Sequence, residues 1–352
     1  MNRRKFLRNS ATLTIASAVG VKSLMASKLI SDENVIKPKK LKAGDTVGLI
    51  APGSYITNEE LVSTIANLET LGFKVRYSKY ILEQNGYLSG NDEQRAYDIH
   101  EMFADKNIKG ILCARGGYGC MRILDLLDYE LIKNNPKCFI GFSDITALLY
   151  GIYQKTGLVC FHGPVGISSM NDYTLDYLKK TVMEKRNSLV IKSAVEENEE
   201  TNSAYKKYVI TSGSAEGILV GGNLSIVAAL VGTPYFVGLE NKILFLEEIG
   251  EEPYRIDRML TQLILSGEMK KVKGIVLGVF RDCESKEEDP SYEKSFSLSQ
   301  VLFDRLQNLG VPVMYGMSFG HIRNKITIPF GVKAKLDTKN QTLTLKENSV
   351  VN

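Results

Sequence analysis

The sequence contains no tryptophan and only three histidines, and its five cysteines are an odd number. Their spacing matches no common metal-binding pattern, and most of them stand in apolar runs, where a free thiol behaves as a small hydrophobic side chain. We therefore expect no disulfide framework. The chain also lacks internal repeats, low-complexity blocks and coiled-coil heptads, which excludes solenoid and fibrous architectures.

A chain of 352 residues is long enough for two domains, each with its own core. Hydrophobic residues make up 44% of it and charged residues 24%, a balance typical of soluble globular proteins. The formal net charge of +4 comes partly from basic residues clustered at the N-terminus, so the rest of the chain is close to neutral. This pattern predicts neither a nucleic-acid partner nor a membrane partner.

The N-terminal segment is typical of a targeting signal. Arg3 and Arg4 precede a weakly apolar stretch, Ala11–Val21, which is too short to span a bilayer. This arrangement resembles a twin-arginine export signal. It predicts a signal over residues 1–27, cleavage after Ala26 or Ser27, and a periplasmic protein that stays membrane-anchored only if the signal is uncleaved. The alternative is an ordinary basic N-terminus.

Beyond residue 41, short apolar segments alternate with segments of helical periodicity. AGDTVGLIAPGS is typical of a strand followed by a Pro-Gly turn, and TNEELVSTIANLETLG is typical of an amphipathic helix. This alternation predicts a doubly wound parallel sheet in an N-terminal α/β domain over residues 41–169. A polar stretch over 170–208 is predicted as a linker region. The residues from 209 to 348 are richer in strands and glycines and predict a mixed α/β C-terminal domain.

Two loops fall at the carboxyl ends of predicted strands, where doubly wound sheets place their sites. In PKCFIGFSDITALLYG, Ser143 follows an apolar strand and precedes a helix. It can cap that helix, or it can be a nucleophile with the Asp144 N–H facing an oxyanion. The local pattern departs from G-x-S-x-G, because Ile145 occupies the second glycine position. In CARGGYG, a tight turn can present the Gly117 N–H toward Ser143, or it can be a plain turn.

A serine nucleophile needs a base and a carboxylate that orients the base. His100 lies inside a predicted helix and is interpreted as structural. His162 and His321 both follow strands and both remain candidates for the base, with His321 favoured by its glycine-bounded loop. In KILFLEEIGEEPY, a buried strand ends at Glu247 and Glu248. Strand alternation sets these two side chains on opposite faces, and we choose Glu247 while leaving Glu248 open.

Several motifs together resemble the L,D-carboxypeptidase family of serine peptidases, which also contains the microcin C immunity peptidases. The motifs occur in the family's order and approximate spacing, and they cover about residues 41–345. They are ARGGYGCMRILDLLDY, NPKCFIGFSDITALL, FHGPVG, GGNLSIVAALVGTP, LFLEEIGEEPYRIDRML and FGHIRNKITIPFGVKAKLD.

The resemblance implies a catalytic triad of Ser143, Glu247 and His321, with an oxyanion hole formed by the N–H groups of Asp144 and Gly117. It implies no metal or other cofactor, a homodimer, and a two-domain fold in which the C-terminal domain supplies the glutamate and the histidine. The implied reaction removes the terminal D-alanine from the tetrapeptide stem of peptidoglycan through an acyl-enzyme.

Two alternatives remain open at this stage. The first keeps the triad but changes the substrate to peptidyl-nucleotide antibiotics or other amide conjugates. The second is a non-catalytic muropeptide-binding protein. Arg115 and Asn223 are candidates for binding a substrate carboxylate, although each can equally take part in a structural contact.

Overall fold

The computed structural model describes residues 34–194, 203–285 and 295–352. The predicted export signal over residues 1–27 lies outside these ranges. The described chain forms two β-sheets with helices packed around them, and the predicted α/β class is confirmed. None of the helices in the described ranges is long and apolar enough to cross a membrane.

The first part of the chain alternates strands and helices as the sequence predicts. The strands are β1 (Thr46–Ile50), β2 (Lys74–Tyr77), β3 (Ile108–Cys113), β4 (Cys138–Gly141) and β5 (Cys160–His162). The helices are α1 (Asn58–Thr70), α2 (Asp92–Ala104), α3 (Tyr129–Asn134) and α4 (Thr146–Thr156). Helix α1 starts at a capping box, in which the Thr57 hydroxyl accepts from the Glu60 N–H and the Glu60 carboxylate accepts from the Thr57 N–H.

The remainder of the described chain is richer in strands. The strands are β6 (Leu189–Ile191), β7 (Tyr208–Thr211), β8 (Ser214–Asn223), β9 (Lys242–Ile249), β10 (Gly274–Arg281), β11 (Val313–Tyr315), β12 (Ile328–Phe330), β13 (Lys333–Asp337) and β14 (Thr342–Leu345). The helices are α5 (Asp172–Val182), α6 (Leu224–Leu230), α7 (Pro253–Leu265) and α8 (Leu298–Leu306).

The two sheets differ in strand direction. The first has six strands in the order β12-β5-β4-β3-β1-β2, parallel except for β12, which runs antiparallel to β5. The second has eight strands in the order β6-β14-β13-β8-β9-β10-β11-β7 and is mixed. Its centre, β8-β9-β10-β11, is parallel. The residues that follow β4, β5 and β9 therefore lie at the carboxyl ends of parallel strands, where sheets of this kind bind their ligands.

Strand β12 joins the two halves of the chain. It belongs to the C-terminal half by sequence, yet it completes the first sheet by pairing Ile328 with His162. Its last residue, Phe330, packs edge-to-face against Tyr150 of α4, with ring centroids 5.0 Å apart. The same ring lies 6.3 Å from Phe245 of β9. The halves are therefore joined through a shared aromatic core as well as through the chain.

The stretch predicted as a linker, 170–208, contains regular structure. Helix α5 is capped by Asn171, whose side chain accepts a hydrogen bond from the Thr174 N–H. Strand β6 extends the edge of the second sheet by pairing with β14. Polar composition suggested a loop because the outer faces of α5 and β6 are exposed, whereas their inner faces are buried. Part of the most polar stretch, residues 195–202, lies outside the described ranges.

Candidate active site

Ser143 lies on the turn between β4 and α4 in a left-handed backbone conformation, with φ of 64°. A residue other than glycine is strained there by about 1–2 kcal/mol. The side chain does not cap a helix: Phe142 precedes the short 3-10 turn Ser143–Ile145, and no side-chain hydrogen bond caps that turn. The Ser143 Oγ instead lies 3.0 Å from the His321 Nε2. The helix-cap interpretation is therefore wrong, and the turn has the geometry of a strained nucleophile turn.

His321 lies between Ser143 and a buried carboxylate. Its Nδ1 is 2.8 Å from the Glu247 Oε2, and the Glu247 side chain is fully buried while that of His321 is 17% exposed. Gly320, with φ of 109°, allows the loop that carries His321 to pack closely against Glu247. Any other residue would place a Cβ 3.0 Å from both the Cβ and the Oε2 of Glu247. The structure thus brings the three residues of the predicted triad into one hydrogen-bonded series.

Glu248 points to the opposite face of β9, as strand alternation predicts. Its carboxylate accepts hydrogen bonds from the Asn223 Nδ2, from the N–H and hydroxyl of Ser225, and from the Ile249 N–H. These contacts stabilise the turn between β8 and α6. Glu248 therefore supports the structure of this turn, and Glu247 is the carboxylate that reaches His321.

The pKa values of these neighbouring glutamates are displaced in opposite directions. Burial alone would raise the pKa of Glu247, but the charge and hydrogen bonding of His321, together with His162, outweigh it and lower that pKa to about 2. Burial raises the pKa of Glu248, and the charge of Glu247 adds to this effect. Glu247 is therefore a carboxylate at every pH at which a histidine base is neutral.

This difference predicts opposite pH dependences of stability. The lowered pKa of Glu247 contributes stability that is present above about pH 4.5, its ordinary value, and lost as the pH falls toward 2. The raised pKa of Glu248 contributes stability that is present below about pH 4.5 and lost as the pH rises through its folded-state pKa. Thermal unfolding of wild type, Glu247→Gln and Glu248→Gln between about pH 2.5 and 7 measures both contributions.

We expect the stability advantage of wild type over Glu247→Gln to shrink as the pH falls. The advantage over Glu248→Gln should grow over the same range. Each variant serves as the control for the other, because the substitutions are identical and the positions adjacent. Slopes of the same sign for both variants would contradict the electrostatic assignment.

The glycine loop after β3 packs directly against the Ser143 turn. A Cβ on Gly116 would lie 3.0 Å from the Ser143 Cβ and 3.3 Å from the Asp144 N. The Gly116 carbonyl accepts from the Ser54 N–H, and the Ser54 hydroxyl accepts from the Tyr118 N–H. Gly117, with φ of 90°, follows Gly116 in this tight turn.

Two buried side chains, Arg95 and Asp144, hold this loop in place. The sequence did not identify either of them as a support for it. The Nη1 of Arg95 donates to the carbonyls of Pro52 and Gly119, and the Asp144 Oδ2 accepts from the Cys120 N–H at 2.8 Å. Asp144 was predicted only as a backbone donor. A signal for Arg95 was present in the sequence, because its position in α2 falls on the helix face that buries Ile99 and Met102.

Gly117→Ala is expected to lower kcat about 100-fold. A Cβ there would lie 2.3 Å from the Ser54 Oγ, so the loop must shift and carry with it the N–H that the sequence predicts to face the oxyanion. Gly44→Ala is the matched control, because Gly44 has φ of 87° with no atom within 4 Å of the added Cβ. It should cost about 1 kcal/mol of stability and leave kcat unchanged. Equal kcat values for the two variants would contradict a role of this loop in catalysis.

The two predicted substrate-binding residues occupy different surroundings. Asn223 is buried and caps α6, with its Oδ1 accepting from the Ile226 N–H and its Nδ2 donating to Glu248. Arg115 is half-exposed and lies 3.5 Å from the Glu60 carboxylate, a weak surface ion pair. Arg115 thus remains accessible to a ligand, whereas the Asn223 side chain is engaged in the helix cap.

Within the described ranges, no cluster of three or more His, Cys, Asp or Glu side chains is suited to hold a metal ion.

The site contains a serine hydroxyl, an imidazole and a buried carboxylate in series, beside a glycine turn. Hydrolases with an activated serine use this arrangement. Two family models match the chain. The N-terminal domain model of the LD-carboxypeptidases matches residues 47–163, and their C-terminal domain model matches residues 216–336.

Known proteins resemble the chain over most of its length. The probable murein peptide carboxypeptidase of Bacillus subtilis is 41% identical over 310 residues, which are 88% of this chain and 94% of that protein. The microcin C7 self-immunity protein MccF of Escherichia coli is 30% identical over 87% of this chain and 94% of that protein. A solved structure of MccF matches with a TM-score of 0.80, covering 90% of this chain and 100% of the other.

A crystal structure of muramoyltetrapeptide carboxypeptidase from Oxalobacter formigenes also matches, with a TM-score of 0.74 and 30% identity, covering 87% of this chain and 100% of that one. The protein therefore belongs to the LD-carboxypeptidase family. It is a peptidase of that family.

Proposed function

We propose that the protein is a serine L,D-carboxypeptidase that removes the terminal D-alanine from peptidoglycan tetrapeptide stems. The observation that carries this proposal is the hydrogen-bonded series from the Ser143 Oγ through His321 to Glu247. Each member has the position that its chemical role requires. The nucleophile lies on a strained turn, the base is partly exposed, and the orienting carboxylate is buried.

Acylation follows from this geometry. The Ser143 Oγ attacks the carbonyl carbon of the scissile peptide bond while its proton passes to the His321 Nε2. Glu247 accepts the Nδ1–H of His321, which leaves Nε2 as the acceptor and stabilises the imidazolium that forms. The N–H groups of Asp144 and Gly117 stabilise the oxyanion. The C–N bond then breaks, and His321 returns the proton to the amine of the departing D-alanine.

Deacylation reverses the roles with water as the nucleophile. His321 takes a proton from water, the hydroxide adds to the ester carbonyl, and the Ser143 Oγ leaves with the proton that His321 returns. The products are a tripeptide stem with a free carboxylate and one D-alanine. This sequence of steps consumes one water and requires no further reactant.

The relatives support the choice of substrate. Two of the three proteins described above carry murein peptide or muramoyltetrapeptide in their names. We also propose export to the periplasm through the twin-arginine-type signal over residues 1–27, which would place the protein beside the cell wall, and assembly as a homodimer. Cell fractionation tests the export and analytical ultracentrifugation tests the assembly.

The similarity to MccF favours a second candidate function. MccF is named for self-immunity to microcin C7, so a peptidase that acts on peptidyl-nucleotide or other amide conjugates fits the same catalytic series. The two candidates differ only in the substrate. They are separated by offering both classes of compound to the same preparation.

Mass spectrometry of purified protein incubated with a defined muropeptide tetrapeptide tests the proposal, with Ser143→Ala as the control. Loss of one D-alanine by wild type alone is the expected result. An intact tetrapeptide together with cleavage of a peptidyl-nucleotide would assign the second candidate. An intact tetrapeptide and no labelling of Ser143 by a fluorophosphonate would leave a muropeptide-binding protein.

A further inference from the structure

His162 lies beside the catalytic series without a role in the mechanism given above. It ends β5, where it pairs with Gly141 of β4, two residues before Ser143. Its side chain is only 2% exposed. The rings of Phe142, Phe245 and Phe319 surround it edge-on, with centroids 5.9, 5.3 and 6.1 Å from that of the imidazole. An imidazole in so apolar an environment needs a polar partner.

A charged group lies close to His162, namely the oxygen of the triad carboxylate that does not contact His321. The His162 Nε2 is 3.9 Å from the Glu247 Oε1. Three buried atoms here have no hydrogen-bond partner in the described part of the chain. They are the two ring nitrogens of His162 and the Oε1 of Glu247. Two buried polar groups that lack other partners therefore face each other, one able to donate and the other to accept.

The separation is longer than a hydrogen bond by about 1 Å. Catalytic hydrogen bonds are often long in the absence of substrate and shorten when substrate binds. With the proton on Nε2, His162 presents an N–H to Oε1 and leaves Nδ1 with only a lone pair. Phe142, whose ring lies 4.8 Å from that of His321, packs against both imidazoles.

We propose that His162 is a positioning residue for Glu247. Its Nε2–H holds Oε1 and so fixes the rotation of the carboxylate that presents Oε2 to the Nδ1 of His321. The carboxylate thus lies between two imidazoles, one that takes part in proton transfer and one that does not. This inference rests on the proposed serine mechanism and adds a fourth residue to it.

Two variants of His162 separate positioning from packing. His162→Phe keeps a ring in the aromatic environment and removes the donor. His162→Gln removes the ring and keeps an N–H near the position of Nε2. The measurements are kcat and KM on the tetrapeptide, and the rate at which a fluorophosphonate labels Ser143, normalised to the folded fraction from thermal unfolding. Labelling forms the Oγ–P bond and releases fluoride, so it reports on the triad without the natural substrate.

We expect His162→Phe to lower kcat and the labelling rate about 10- to 100-fold, by analogy with side chains that orient metal ligands, with KM unchanged. His162→Gln should retain most of both rates. If His162→Phe is as fast as His162→Gln or faster, the proposal is overturned, because packing alone then accounts for the histidine.

The design separates this inference from the proposed function. A wild-type protein that is labelled but releases no D-alanine contradicts the substrate assignment, while the labelling rates of the variants still decide the role of His162. A wild-type protein that is neither labelled nor active contradicts the serine mechanism, and the proposal for His162 fails with it.

Discussion

Ser143→Gly and Ser143→Ala are both expected to lower kcat by about 10⁴- to 10⁶-fold, yet the glycine variant should be the more stable by about 1 kcal/mol. Both substitutions remove the Oγ and its hydrogen bond to His321. Only glycine relieves the left-handed backbone, with φ of 64°, that holds the serine on its turn. Ser143 thus lies in a conformation that costs stability, and on the proposed mechanism this conformation directs its Oγ toward the substrate.

Urea unfolding and tetrapeptide kinetics on both variants measure the two effects. Ser63 offers a matched control, because it lies in the interior of α1 with its Oγ bonded to the Glu59 carbonyl. There the order should reverse, with Ser63→Ala more stable than Ser63→Gly by about 1 kcal/mol and kcat unchanged in both. An alanine variant at 143 as stable as the glycine variant would show that the turn stores no strain.

Glu247→Gln is expected to lower kcat about 10⁴-fold, whereas Glu248→Gln should keep kcat within about tenfold of wild type. A glutamine at 247 removes the charge that stabilises the His321 imidazolium and can donate to Nδ1, which selects the wrong tautomer. At 248 the same change weakens the contacts to Asn223 and Ser225, which support the fold. Steady-state kinetics on the tetrapeptide decide between the two carboxylates.

Labelling by a fluorophosphonate gives a second readout for this pair. It should slow strongly in Glu247→Gln and little in Glu248→Gln, because reaction at Ser143 requires the oriented base. A larger loss in Glu248→Gln than in Glu247→Gln would transfer the triad role to Glu248, the alternative that the sequence left open.

Local sequence supplied the candidates for the triad, and the resemblance to the L,D-carboxypeptidase family selected Ser143, Glu247 and His321 among them. Ser143 follows an apolar strand, His321 stands in a glycine-bounded loop, and period-two alternation places Glu247 and Glu248 on opposite faces. What alternation could not decide was which face meets His321. That choice depends on the register of β9 against β8, where Glu247 pairs with Asn223, and register is a long-range property.

The residues that sequence interpretation placed less well depend on tertiary contacts. Asn223 was chosen as a ligand for its polarity, but it lies at the start of α6 and its side chain caps that helix. His162 had no local feature that distinguished it from a structural histidine, since its relation to Glu247 exists only when the two sheets meet. Strand β12 likewise follows His321 in sequence but pairs with a strand made much earlier.

The position of β12 in the sequence affects when the first sheet can be completed during synthesis of the chain. The nucleophile, the glutamate and the histidine lie in ascending order along the chain, and β12, which completes the sheet beside the nucleophile, comes after all three. A nascent chain on the ribosome therefore lacks both the proposed base and a strand of its first sheet until Phe330 has been added. On the proposed mechanism, a fragment that ends before His321 has no complete triad, and one that ends before β12 has an incomplete first sheet.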